Sequence, residues 1–153
     1  MGVGTVLRVR RAYLLVVALG LLAGCGSSGQ RLTRDEYASQ ADAICQRYKQ
    51  KTNALSHPTS LAELATDSDQ LLPLLHAARG ELRALRPPAE EEATANAWLG
   101  EFDVTIDDVK KIRDKAKAGD RAGVAAVARP ALRRDRRANE LAAQLGMTVC
   151  SKD

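Results

Sequence analysis

Few residues of this chain are of types and at spacings that do chemistry. It holds two histidines in 153 residues, His57 and His76. His57 stands before Pro58, in a turn; His76 falls in a helical stretch. Neither has a Glu three residues before it, so the Glu-x-x-His of di-iron bundles is absent. The His-Glu-x-x-His of zinc proteases is absent too. Glu90, Glu91 and Glu92 open a helix, where negative charge complements the macrodipole. Asp107 and Asp108 are neighbours and point about 100° apart on a helix, a poor arrangement for paired acid–base work. There is no glycine-rich phosphate loop and no Gly-x-Ser-x-Gly elbow. Ser27 and Ser28 lie in a Gly/Ser stretch. These absences point away from an enzyme, and no cofactor or metal is expected.

Cysteine is more informative. Cys25, Cys45 and Cys150 are the three thiols. The first closes a distinctive leader. Arg8, Arg10 and Arg11 make it positive, and Ala12 to Ala23 is an apolar run broken by Gly20. That run is too short to span a bilayer as a stable helix. It ends in Leu22-Ala23-Gly24-Cys25, which resembles the lipobox of bacterial lipoproteins. The resemblance implies cleavage after Gly24 and a diacylglycerol on Cys25. An ordinary signal peptide and an uncleaved anchor are the alternatives. Residues 1–24 are thus read as signal peptide, 25–32 as lipidated cysteine and flexible tether, and 33–153 as the domain. The expected location is the outer face of the cytoplasmic membrane.

Charge changes meaning with this division. The whole chain carries 23 Lys+Arg against 19 Asp+Glu, a net +4. Without the leader the balance is 20 to 19, or +1. The pI near 9.1 therefore belongs largely to the leader and is no nucleic-acid footprint. Cys45 and Cys150 remain as an even pair in an exported chain, so a disulfide is the default. It would close nearly the whole domain, worth about 4–5 kcal/mol by chain entropy. No Cys-x-x-Cys and no Cys/His cluster offers redox or zinc chemistry instead.

The elements that carry these residues all read as helices. Thr33 and Glu36 form a capping box ahead of a face made by Tyr37, Ala41, Cys45, Tyr48, Thr52 and Leu55. Ser60 and Glu63 form a second box, followed by a leucine-rich period to Leu85. Pro73 predicts a kink or a restart near Asp67 to Asp69. A third helix starts at Pro88-Ala89 and carries Trp98, Phe102, Ile106, Val109, Ile112 and Ala116 on one stripe. Trp98 and Phe102, one turn apart, are expected at the centre of the core, with an aromatic ligand cage the alternative. Asp120 caps a fourth helix, bent at Pro130 and closed by Gly146. The architecture expected is all-α: an antiparallel four-helix bundle with kinked second and fourth helices, stapled by one disulfide. A three-helix core with a broken second segment is the alternative.

Two polar features sit on the fourth segment. Arg133, Arg134, Arg136 and Arg137 surround Asp135 and fan around the helix axis. A solvated surface is expected, with weak contact to anionic lipid through these four arginines as the functional alternative. Arg134 and Asp135 also interrupt the apolar stripe. They are expected to turn to solvent; the alternative is a polar pocket shared by Asp135 and His76.

Leu22-Ala23-Gly24-Cys25, Tyr37 with Ala41 to Cys45, Leu82 to Leu85 before Pro87-Pro88, Ala97-Trp98, and Leu145-Gly146 with Cys150 together resemble small uncharacterised actinobacterial lipoproteins and secreted helical proteins. The resemblance implies an all-helical fold, a Cys45–Cys150 bridge and an envelope location, and it brings no site residues. The role expected is a non-enzymatic interaction or accessory module of the cell envelope. The alternative is a carrier or sensor that holds a small apolar ligand between helices. Cavity volume separates the two.

Overall fold

The computed structural model describes residues 30–55 and 57–152. The expected signal peptide and the expected lipidation at Cys25 fall outside the described residues. The chain divides into two units, Met1–Gln30 and Arg31–Asp153, and the second is described here. Its four helices are α1 (Arg34–Thr52), α2 (Leu61–Ala84), α3 (Glu92–Lys117) and α4 (Arg121–Gln144). No strand occurs among the described residues.

Local chemistry sets most helix ends. Thr33 and Glu36 close their capping box, with the Thr33 amide donating to Glu36 Oε2 at 2.9 Å. Ser60 accepts from the Glu63 amide at 3.2 Å, but the Glu63 carboxylate reaches one residue further out, to the Thr59 amide at 2.7 Å. A single 3-10 turn, Ala89–Glu91, precedes α3, so the α-helix proper starts later than Pro88-Ala89. Gly119 takes a φ of 70°, a left-handed conformation that favours glycine, and ends α3. Asp120 Oδ1 then caps α4 through the Gly123 amide at 2.7 Å.

Neither proline ends its helix. α2 is continuous through Pro73, with no restart at Asp67 to Asp69, and α4 is continuous through Pro130. A helix-interior proline costs about 3 kcal/mol. Burying a leucine returns about 1.5–3 kcal/mol. Leu72 is buried and Leu71, Leu74 and Leu75 are half-buried around Pro73, enough to carry the helix across it. The broken-segment alternative is thereby set aside.

Ion pairs fix how neighbouring helices run. Arg79 grips Asp103 through two bonds of 2.7 Å, while Asp69, earlier in α2, meets Lys117, later in α3, at 2.8 Å. Asp108 of α3 pairs with Arg134 of α4, and Glu101, earlier in α3, meets Arg137, later in α4, at 2.9 Å. Each of these pairs of helices therefore runs in opposite chain directions. α1 accompanies the second half of α2: Tyr48 donates to Glu81 at 2.7 Å, and the Leu32 amide donates to the Arg86 carbonyl at 2.8 Å. Arg31 and Leu32, the end of the expected tether, are thus tied to the folded unit; Arg31 also meets Glu92 at 2.7 Å.

All four helices meet at that end. Tyr37, Ala41, Ile44 and Tyr48 of α1 pack with Ala78 and Leu82 of α2, Trp98 and Leu99 of α3, and Ala142 of α4. Trp98 is 3% exposed and lies in this core; Phe102 is half-buried beside it. Small alanines on all four helices, Ala41, Ala78, Ala95 and Ala142, let the backbones approach around the few rings.

Asp108 is the charged residue of α3 that this packing encloses. Its side chain is 9% exposed, facing Arg134 and, at 3.8 Å, Lys111. Arg134 therefore turns toward the α3–α4 seam, with its side chain still 32% exposed. Asp108→Ala is expected to lower stability by about 1–2 kcal/mol, below the usual cost of breaking a buried pair because Arg134 keeps access to water. Removing both side chains together is expected to recover part of that loss. Urea denaturation of the two variants checks this; an unchanged midpoint for Asp108→Ala would refute the enclosed pair.

Candidate functional site

The C-terminal tail, 146–152, organises the best-formed site. Gly146, at φ 81°, turns the chain off α4, and Met147 buries against the core. The tail then lies against α1. Cys150 bonds to Cys45 with an S–S distance of 2.09 Å and a Cα–Cα distance of 5.5 Å, ordinary disulfide dimensions.

A second clamp lies one turn earlier on α1. The Asp42 carboxylate accepts from the Thr148 amide at 2.7 Å, the Thr148 hydroxyl at 2.9 Å, the Val149 amide at 2.9 Å and the Cys150 amide at 3.0 Å. Partial burial pushes its pKa up, but the bonds from Cys150, Thr148 and Val149 outweigh it and hold the carboxyl below the ordinary aspartate value. Sequence reasoning missed Asp42. Its one signal was a position three residues before Cys45, on the helix that the tail had to reach.

Between this clamp and α2 lies an apolar groove of about 190 Å³. Leu74, Ala78 and Leu82 of α2 form one wall, and Phe102 of α3 contributes to it. Tyr48 and the Cys45–Cys150 bridge form the other. Lys49 and Lys152 line it as well, with Lys49 Nζ donating to the Lys152 carbonyl at 3.4 Å. The Lys51 ammonium sits 4.5 Å over the Tyr48 ring. Tyr48 itself donates to Glu81, whose charge is met by Arg47.

The residues singled out from sequence lie elsewhere. His76 is exposed in a polar depression shared with Arg79, Asp103 and Asp107. The Arg79 hydrogen bonds hold Asp103 below its ordinary pKa. Asp135 is half-buried on α4 and is not among the residues lining that depression. The four arginines separate by role. Arg134 pairs with Asp108, and Arg137 meets Glu101 at 2.9 Å. Arg133 and Arg136 are exposed.

One buried group stands apart. Tyr37 is 0% exposed, and burial, followed by the nearby Glu91 charge, pushes its phenol up to about 12. It stays neutral and serves the core. Among the described residues no group of three or more His, Cys, Asp or Glu side chains is placed to hold a metal ion, and no helix is long and apolar enough to cross a membrane. Comparison with known proteins brought no match: no family model, no curated protein and no solved structure aligns with the chain.

Proposed function

We propose that this chain is an exported lipoprotein, held by a diacylated Cys25 on the outer face of the cytoplasmic membrane. Its helical domain serves as a non-enzymatic interaction or accessory module of the cell envelope. The observation that carries the reading is the Cys45–Cys150 bridge, because structural disulfides persist in oxidising compartments. The Leu22-Ala23-Gly24-Cys25 motif supports the anchor, and the likeness to small actinobacterial lipoproteins agrees with both. A lipid contributes about 0.8 kcal/mol per buried methylene, so two acyl chains give stable attachment. Arg133 and Arg136, exposed beside a Leu132 that is 68% exposed, support a weak secondary contact with anionic lipid.

Fractionation of the native host tests the anchor. Wild-type protein is expected in the membrane fraction and the Cys25→Ser variant in the soluble one. Unchanged membrane retention of the variant would remove the lipid anchor from the reading.

A second reading, a carrier or sensor for a small apolar ligand, draws support from the groove beside the disulfide. At about 190 Å³ it is smaller than most drug-sized sites, which begin at about 300 Å³, yet larger than a packing defect.

A further inference from the structure

Resting on the carrier reading, we propose that the groove between α1, α2 and the tail binds a small amphiphile with one negative head group, such as a medium-chain carboxylate. The size of the groove sets the apolar part. An engineered cavity of about 150 Å³ lined by Leu, Ile and Phe takes up benzene, and this groove is of that order at about 190 Å³. A ring or a short acyl chain fits it; a two-chain phospholipid does not. The walls suit such a body, with Leu74, Ala78, Leu82 and Phe102 facing Tyr48 and the disulfide.

Charge sets the head group. Lys49 and Lys152 line the same groove, and neither is paired with a carboxylate among the described residues. Lys51 adds a third cation over the Tyr48 ring. Two acids border the groove residues, and both are engaged: Glu81 by Arg47 and the Tyr48 hydroxyl, and Asp42 by the amides of Thr148, Val149 and Cys150. A negative head at the mouth therefore meets positive charge without displacing a carboxylate partner, while the chain behind it leaves water.

The test uses the full chain in phosphatidylcholine nanodiscs, a diazirine-bearing octanoate as probe, and mass-spectrometric mapping of the label. The expected label falls on peptides carrying Tyr48, Leu74 to Leu82 and Phe102, and octanoate competes for it. Octanol, of equal length and uncharged, is expected to compete about fivefold more weakly. Lys49→Gln combined with Lys152→Gln is expected to weaken octanoate about five- to tenfold, the scale of two partly exposed ion pairs. Neither lysine is in the core, so the doubly substituted chain keeps its fold, which circular dichroism verifies. Equal competition by octanol overturns the negative head group and leaves the carrier reading standing. Absence of label in the groove overturns both. Labelling of the same residues by a photoreactive phosphatidylcholine that octanoate does not displace assigns the groove to bilayer lipid and overturns the proposal.

Discussion

Replacing Cys45 and Cys150 together by serine is expected to destabilise the domain by about 4–5 kcal/mol. The bridge joins residues 105 apart in sequence, so it restrains almost the whole domain when unfolded. A loss of this size is a large share of the roughly 5–15 kcal/mol that holds a typical domain folded. It corresponds to a fall in Tm on the order of 15 °C. The double serine variant is the right comparison, because a single substitution leaves a free thiol. The folded state itself is expected to change little near the junction, since Asp42 holds the tail on the same helix by hydrogen bonds. Thermal and urea denaturation of the two chains, with and without reductant, measure the difference. A loss below about 1 kcal/mol would mean that the unfolded chain is little restrained by the bridge. It would also weaken the case for an oxidising compartment, because the bridge would then matter little to folding there.

How far the sequence foretold this molecule depends on the range of each interaction. The Thr33–Glu36 box, the Asp120 cap and the turn at Gly146 are decided within a few residues, and each stands where the local pattern placed it. The α3 stripe from Trp98 to Ala116 was legible because one helix face buries in register. Pro73 was misleading as the sign of a restart for the opposite reason. Its local cost is real, but the burial of Leu72 and the leucines beside it, decided by tertiary packing and invisible to a local pattern, outweighs it. For Asp108 the sequence showed only that it diverges from Asp107 around the helix; its partner Arg134 comes from α4, across the seam. The groove was not legible at all. It exists because α1 runs beside only part of α2 and the tail crosses back to meet both, a juxtaposition of segments about a hundred residues apart. The cysteines predicted that the tail returned to α1. Nothing in their spacing indicated the space left beside it.

Asp42→Ala is expected to release the tail locally and to lower stability by about 2–3 kcal/mol. The carboxylate accepts four hydrogen bonds from the tail, three of them from backbone amides. Bonds to a charged group contribute about 1.5–3 kcal/mol each when enclosed. The total here is smaller than four such bonds, because Asp42 is half-buried and water replaces part of what is lost. Asp42→Asn keeps an acceptor but loses the charge and turns an amide toward donors, so an intermediate loss of about 1–2 kcal/mol is expected. The pH dependence follows from the direction of the shift. The folded carboxyl titrates below its ordinary value of 3.8, so its contribution is complete above about pH 4. It is lost as pH falls through the depressed folded value, when the protonated acid can no longer accept all four bonds. Asp103 and Asp120 are depressed too, so the measurement must be a difference between chains. Wild type and Asp42→Asn are expected to converge in stability as the pH is lowered. Hydrogen exchange supplies the local readout: the amides of Thr148, Val149 and Cys150 are expected to lose at least about tenfold of their protection in Asp42→Ala, with the disulfide intact. Protection that survived in all three would mean that the bridge alone holds the tail. If it is lost as expected, the wall of the groove that carries Val149, Cys150 and Lys152 loosens with it, and the two clamps on one short segment act together rather than additively.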